Sequence, residues 1–113
     1  MSKTRLFSMT QTATAAVVSN RLVGMMTGAH CASGAKALGV SHFAAATGEA
    51  FAVTVSGTEV VEAGGAFAAG GPLKAAADGS GKVIAQGGAG EIVAYAVEAS
   101  SADGRKVEVL LAL

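Results

Sequence analysis

Sixteen glycines punctuate a chain of 113 residues, and after Met26 no glycine-free window of twelve residues carries a clear apolar stripe at helical spacing. Alanine is abundant and would favour helix on propensity alone. The glycine spacing overrides it. Segments this short, separated by turns every eight to twelve residues, predict an all-β fold, a small β-barrel or sandwich.

Residues 1–20, rich in Thr and Ser, read as an extended N-terminal arm, with a strand near Ala15–Ser19, and residues 21–113 as a single β domain. "RLVGMMTG" (21–28) reads as a strand closed by glycine, "ALGVSHF" (37–43) as a second, and 44–49 as a turn. "AFAVTVSG" (50–57) puts Phe51, Val53 and Val55 on one face, the period of a strand. Gly57-Thr58 reads as a tight turn, with 59–63 pairing back. Pro72 has no N–H for a central ladder, so it opens a strand over 72–77. Asp78-Gly79-Ser80-Gly81 is a turn sequence, followed by a strand over 82–86. Residues 91–100 read as a longer strand, with Ile92, Ala94 and Ala96 on one face and Val93, Tyr95 and Val97 on the other. Asp103-Gly104 turns the chain into a closing strand, 105–113.

The hydrophobic fraction is 51%, yet much of it is alanine, with no Trp, one Tyr and four Phe. Each large buried side chain contributes roughly 1.5–3 kcal/mol, so a chain with few of them has a thin core. Part of the stability is therefore expected from association. Leu110, Leu111 and Leu113 in the closing strand are the candidates for core or subunit contact. Eight basic and eight acidic residues cancel, which argues against a dedicated nucleic-acid binder. The charges are unevenly placed. The first 48 residues carry Lys3, Arg5, Arg21 and Lys36 and no acid. Lys3, Arg5, Leu6 and Phe7 combine charge with apolar anchors and form the candidate partner-binding set. A lone cysteine, Cys31, allows no intrachain disulfide and suggests a reducing compartment. Neither a signal peptide nor a membrane span is expected.

Enzyme chemistry finds little support. A Walker loop built on Gly81-Lys82 would open at position 76, which is alanine, and Val83 stands where a hydroxyl is needed. His30, Cys31 and His42 lack the tight paired spacing of a zinc site. A Cys-His nucleophile pair has no third group to orient it. Glu59 and Glu62 read as solvated charge that guards strand edges. No catalytic residue, metal or cofactor is expected. A lipoyl- or biotinyl-like carrier barrel would need Lys82 at a hairpin tip, but Gly81-Lys82-Val83 does not match the tip those domains use.

The order of the pieces resembles the small capsid decoration, or cement, proteins of tailed bacteriophages. The resemblance covers about residues 36–113. It rests on Leu38-Gly39-Val40, Gly48-Glu49 before an alternating strand ending in Gly57, Gly65-Ala66, Gly71 before Leu73, the Asp78 to Gly81 turn, and Asp103-Gly104 before a valine–leucine strand. Pro72 departs from the family pattern, in which a polar residue commonly follows the glycine. The resemblance implies a non-enzymatic virion protein on the outer capsid surface. It would bind the major capsid protein and cement neighbouring subunits, as a homotrimer. A tail or head-fibre structural subunit is the alternative within the same class.

Overall fold

The computed structural model describes residues 5–25, 27–88 and 90–112, with side chains from Phe7 onward. It contains eight strands and, among the described residues, no helix: β1 (Arg5–Thr12), β2 (Leu22–Gly24), β3 (Ala37–Ser41), β4 (Ala50–Glu62), β5 (Pro72–Ala75), β6 (Val83–Ala85), β7 (Ala94–Ala96) and β8 (Lys106–Leu111). The strands run in the order β2-β3-β4-β8-β7-β5-β6, with β1 also on β4. Every named pair is antiparallel. The two ends of this sheet approach each other. The Leu22 N–H donates to the Gly81 carbonyl at 2.6 Å, and Ala63 forms a bridge with Val83. The result is a nearly closed β-barrel.

β4 is the spine. The expected turn at Gly57-Thr58 does not occur, and 50–62 is one strand of 13 residues. Gly57 takes φ 98°, a conformation open to glycine, and the strand bends there instead of reversing. Before the bend, β4 pairs with β1 on one edge and with β3, through Val53 and Thr54, on the other. After it, Thr58–Glu62 pair with β8. Alternation reads the same for a hairpin and for a bent strand, so the sequence could not separate them.

Two apolar clusters fill the interior. The larger holds Leu22, Val40, Val61, Phe67, Leu73, Val83, Val93, Val107 and Val109 with small residues between them. The smaller holds Val17, Val23, Leu38, Phe51 and Val53. Leu22 and Val23 thus face different clusters, and β3 is buried along its whole length. That explains why "ALGVS" shows no polar alternation. Residues 13–17, within the expected arm, cover the smaller cluster with Ala13 and Val17. The expected strand over 91–100 is shorter. Only Ala94–Ala96 pair as β7; Ala94 and Ala96 point inward, while Ile92 is exposed. The expected turn at Asp78–Gly81 closes a hairpin: Leu73, Lys74 and Ala75 of β5 pair with Ala85, Ile84 and Val83 of β6 across it.

Gly39, in the middle of β3, lies directly under β4. A Cβ there would run into the Thr54 carbonyl and the Val53 side chain. Because the obstacle is backbone of a central strand, Gly39→Ala is expected to destabilise the protein by about 2 kcal/mol or more, read as a lowered urea midpoint at unchanged slope.

Candidate partner-facing surface

The candidate residues fall in two groups that the fold brings together. Lys3 and Leu113 lie outside the described residues. Arg5 and Leu6 open β1, with Arg5 opposite Gly57. Leu110, in β8, lies opposite Thr58. β3 and Asn20 take the other edge of β4, where Asn20 accepts from the Glu62 N–H at 2.9 Å. The start of β1 and the end of β8 therefore meet end to end along one edge of β4, at its bend.

Over residues 7–10, β1 is secured by pairing with β4 and not by burial. Residues 7–10 are exposed, with alternate side chains on opposite faces, and Phe7 retains 58% of its surface. Around the corner, Leu110 pairs with Tyr95 of β7, and both are more than 40% exposed. Val97, two residues on, is also exposed, so Tyr95, Val97 and Leu110 form an apolar outer face on β7–β8. Leu111 is different: it is partly buried and packs against the larger core cluster. Phe7 could be singled out as an apolar residue in a polar segment, and Leu110 as one of the leucines of the closing strand. Tyr95 and Val97 were placed on a strand face in the sequence but not recognised as part of a surface, because the register of β7 on β8 decides it.

The charged residues cluster elsewhere. Arg21 Nε lies 3.0 Å from Glu62 Oε1, and Lys82 Nζ lies 3.6 Å from Glu62 Oε2 and 3.0 Å from Asp103 Oδ1. Arg21 also donates to the Ser80 carbonyl at 3.0 Å. This network ties the entry to β2, the end of β4, the start of β6 and the Asp103 turn. Its Asp103 hydrogen bond pushes the Lys82 ammonium above the usual lysine range. Lys82, the residue a carrier barrel would have to present, is engaged by two carboxylates.

Glu59 corrects the expectation of solvated carboxylates: it is fully buried. Its Oε2 accepts from the Thr54 hydroxyl at 2.8 Å and its Oε1 from the Val60 N–H at 2.9 Å. His42 Nε2 hydrogen-bonds the same Thr54 oxygen and lies 3.8 Å from Glu59 Oε2. Cys31 is buried, and burial pushes its thiol above the usual range, away from the thiolate a nucleophile needs. Among the described residues, no group of three His, Cys, Asp or Glu is arranged to hold a metal ion, and the described surface has no enclosed pocket.

The other histidine reports on pH. His30 Nε2 accepts from the Val18 N–H at 2.9 Å. Burial, and then the Arg21 charge, hold its imidazole below the ordinary histidine range. The unfolded chain thus takes a proton near pH ~6.5 before the folded one does, so this contribution to stability is complete above that pH and is lost as pH falls below it. Urea unfolding from about pH 8 to about pH 5 is expected to show this loss, and His30→Gln, which keeps an acceptor for Val18, to remove that part of it.

Comparison with known proteins agrees with this architecture. Among solved structures, the N base of the head fibre protein gp8.5 of bacteriophage phi29 superposes with a TM-score of 0.77 over 94% of this chain and 93% of that one, at 22% identity. At that identity the likeness speaks for the fold. No curated protein sequence matches. The sequence model of the phage cement proteins matches residues 1–111, nearly the whole length, and the chain belongs to the phage cement protein family, a family of phage structural proteins.

Proposed function

We propose that this protein binds the outer surface of a phage capsid, against the major capsid protein, and cements neighbouring subunits as a homotrimer. The observation that carries the reading is the exposure of Phe7 on β1 and of Tyr95, Val97 and Leu110 on the β7–β8 side, borne by strands that pair with successive parts of β4, in a protein of the cement family. Lys3, Arg5, Leu6 and Phe7 are assigned to the shell contact. Leu110 and Leu113, with Tyr95 and Val97, are assigned to contact between copies. The two surfaces adjoin, so a copy seated on the shell presents its β7–β8 face to its neighbours. A core of alanine and valine fits a protein that draws stability from such contacts. The likeness to a head fibre base favours a second reading, in which the chain forms the foot of a fibre on the head.

Co-sedimentation with undecorated shells tests the shell contact. Phe7→Ser is expected to weaken attachment about ten-fold or more, because an apolar anchor is lost, while changing stability by less than about 1 kcal/mol. Attachment unchanged by Phe7→Ser, Lys3→Ala and Arg5→Ala together would remove β1 from the mechanism.

Leu110→Ser is expected to keep the fold and to abolish the trimer cross-linked on shells. Cross-linked trimers in equal yield from that variant would place the subunit contact elsewhere. Microscopy of particles separates the fibre reading, which requires the protein at fibre feet and not across the shell lattice.

A further inference from the structure

The connection between β2 and β3 takes no part in the proposed surface, yet it reaches the opposite wall of the barrel. Both of its ends are held on β2: the Cys31 N–H donates to the Leu22 carbonyl at 2.9 Å, and Ala37 pairs with Gly24. Between them, residues 32–36 leave the sheet as Ala-Ser-Gly-Ala-Lys. The Ala35 N–H donates to the Ala32 carbonyl at 3.1 Å and folds the segment into a turn. At its crest, the Gly34 N–H donates to the carbonyl of Ala75, the last residue of β5, at 3.3 Å. The Gly34 carbonyl accepts from the Glu91 N–H, ahead of β7, at 3.0 Å. One residue thus bridges the β2–β3 side of the barrel and the β5–β7 side.

The hold on that wall is slight. Ala32, Ser33 and Lys36 are exposed, and Ala35 is the residue of the segment that packs against the larger cluster. Gly34 takes φ 61°, in the left-handed region, and meets Gly90, where an added Cβ would lie 3.3 Å from the Gly34 Cα. The two glycines cross backbone on backbone, so no side chain of either interlocks. Beneath the segment lies Cys31, fully buried in the larger cluster, its Sγ donating to the Ala35 carbonyl at 3.4 Å. Because both ends are fixed on β2, lifting residues 32–36 breaks the two Gly34 bonds and the Ala35 contacts and leaves the strand ladders in place. Few buried contacts on an exposed segment mark low local stability.

We propose that residues 32–36 form a strap that lifts from the barrel on its own, baring the Cys31 thiol while the strands stay paired. The protein then opens in two ways, a small one at the strap and a large one by global unfolding. Cys31 reports on both, since it is the one cysteine of the chain and is free.

The test labels the intact protein with the aromatic disulfide dithiodipyridine at increasing urea. The Cys31 thiolate attacks the S–S bond, keeps one half as a mixed disulfide and releases the other as thiopyridone, whose absorbance gives the rate. Lifting the strap exposes little surface. Labelling is therefore expected to be flat at low urea and about ten-fold or more faster than global unfolding allows. Gly34→Ala places a side chain at positive φ and is expected to speed labelling about five-fold or more. Val17→Ala, in the smaller cluster, is expected to lower the urea midpoint and leave labelling unchanged, because that cluster stays intact when the strap lifts. A labelling rate that climbs along the full unfolding slope from zero urea overturns the proposal. So does a rate that rises with Val17→Ala, or one that Gly34→Ala leaves unchanged. If Val17→Ala does not fold, the urea slope of the parent and the Gly34→Ala rate decide.

Discussion

One strand holds the molecule together. β4 pairs with β1 and β3 over its first half and with β8 over its second, so the segments that cover the smaller apolar cluster and those that build the larger one are joined by its backbone. The bend at Gly57 marks the point where the partners change. The change of partner falls there, β1 ending opposite Gly57 and β8 beginning opposite Thr58. The ion pairs of Arg21 and Lys82 with Glu62 fix the far end of the same strand, and the Leu22 to Gly81 hydrogen bond brings the outer strands together beside them.

Much of the fold was legible because local chemistry and the global result agree. Pro72 opens a strand, Asp78–Gly81 turns a hairpin, and Val107 and Val109 alternate inward as their spacing indicates. The misreadings have a common cause, which is that a neighbour remote in sequence decides the outcome. Gly57-Thr58 has turn chemistry, yet β8 arrives to pair with the residues that follow, and the strand continues. Glu59 is acidic and was assigned to solvent, yet Thr54, five residues earlier, and His42, from the end of β3, supply it with partners inside. β3 lacks alternation because clusters lie on both of its faces.

The partner-facing surface was legible in half. Apolar residues in an otherwise polar N-terminal segment identify Phe7 directly. Two leucines of the closing strand behave in different ways, since Leu110 faces out and Leu111 packs on the core, and one residue of register separates them. The adjacency of the two groups was not legible at all. Nothing in the sequence says that residues more than one hundred positions apart occupy successive places on one edge of β4; the pairing of Arg5 with Gly57 and of Leu110 with Thr58 puts them there.

The manner in which β1 is attached has a mechanical consequence. The strand is held along one edge by a ladder, with residues 7–10 exposed and Ala13 entering the interior beyond it. A load applied at the N-terminus therefore acts on one rung at a time, as in opening a zipper, and rungs loaded singly yield at low force. The opening stops at Ala13 and Val17, where further movement would pull apolar groups out of the smaller cluster. Arg5–Thr12 can thus peel from β4 and re-engage while the barrel stays closed, a compliant strand on a rigid body.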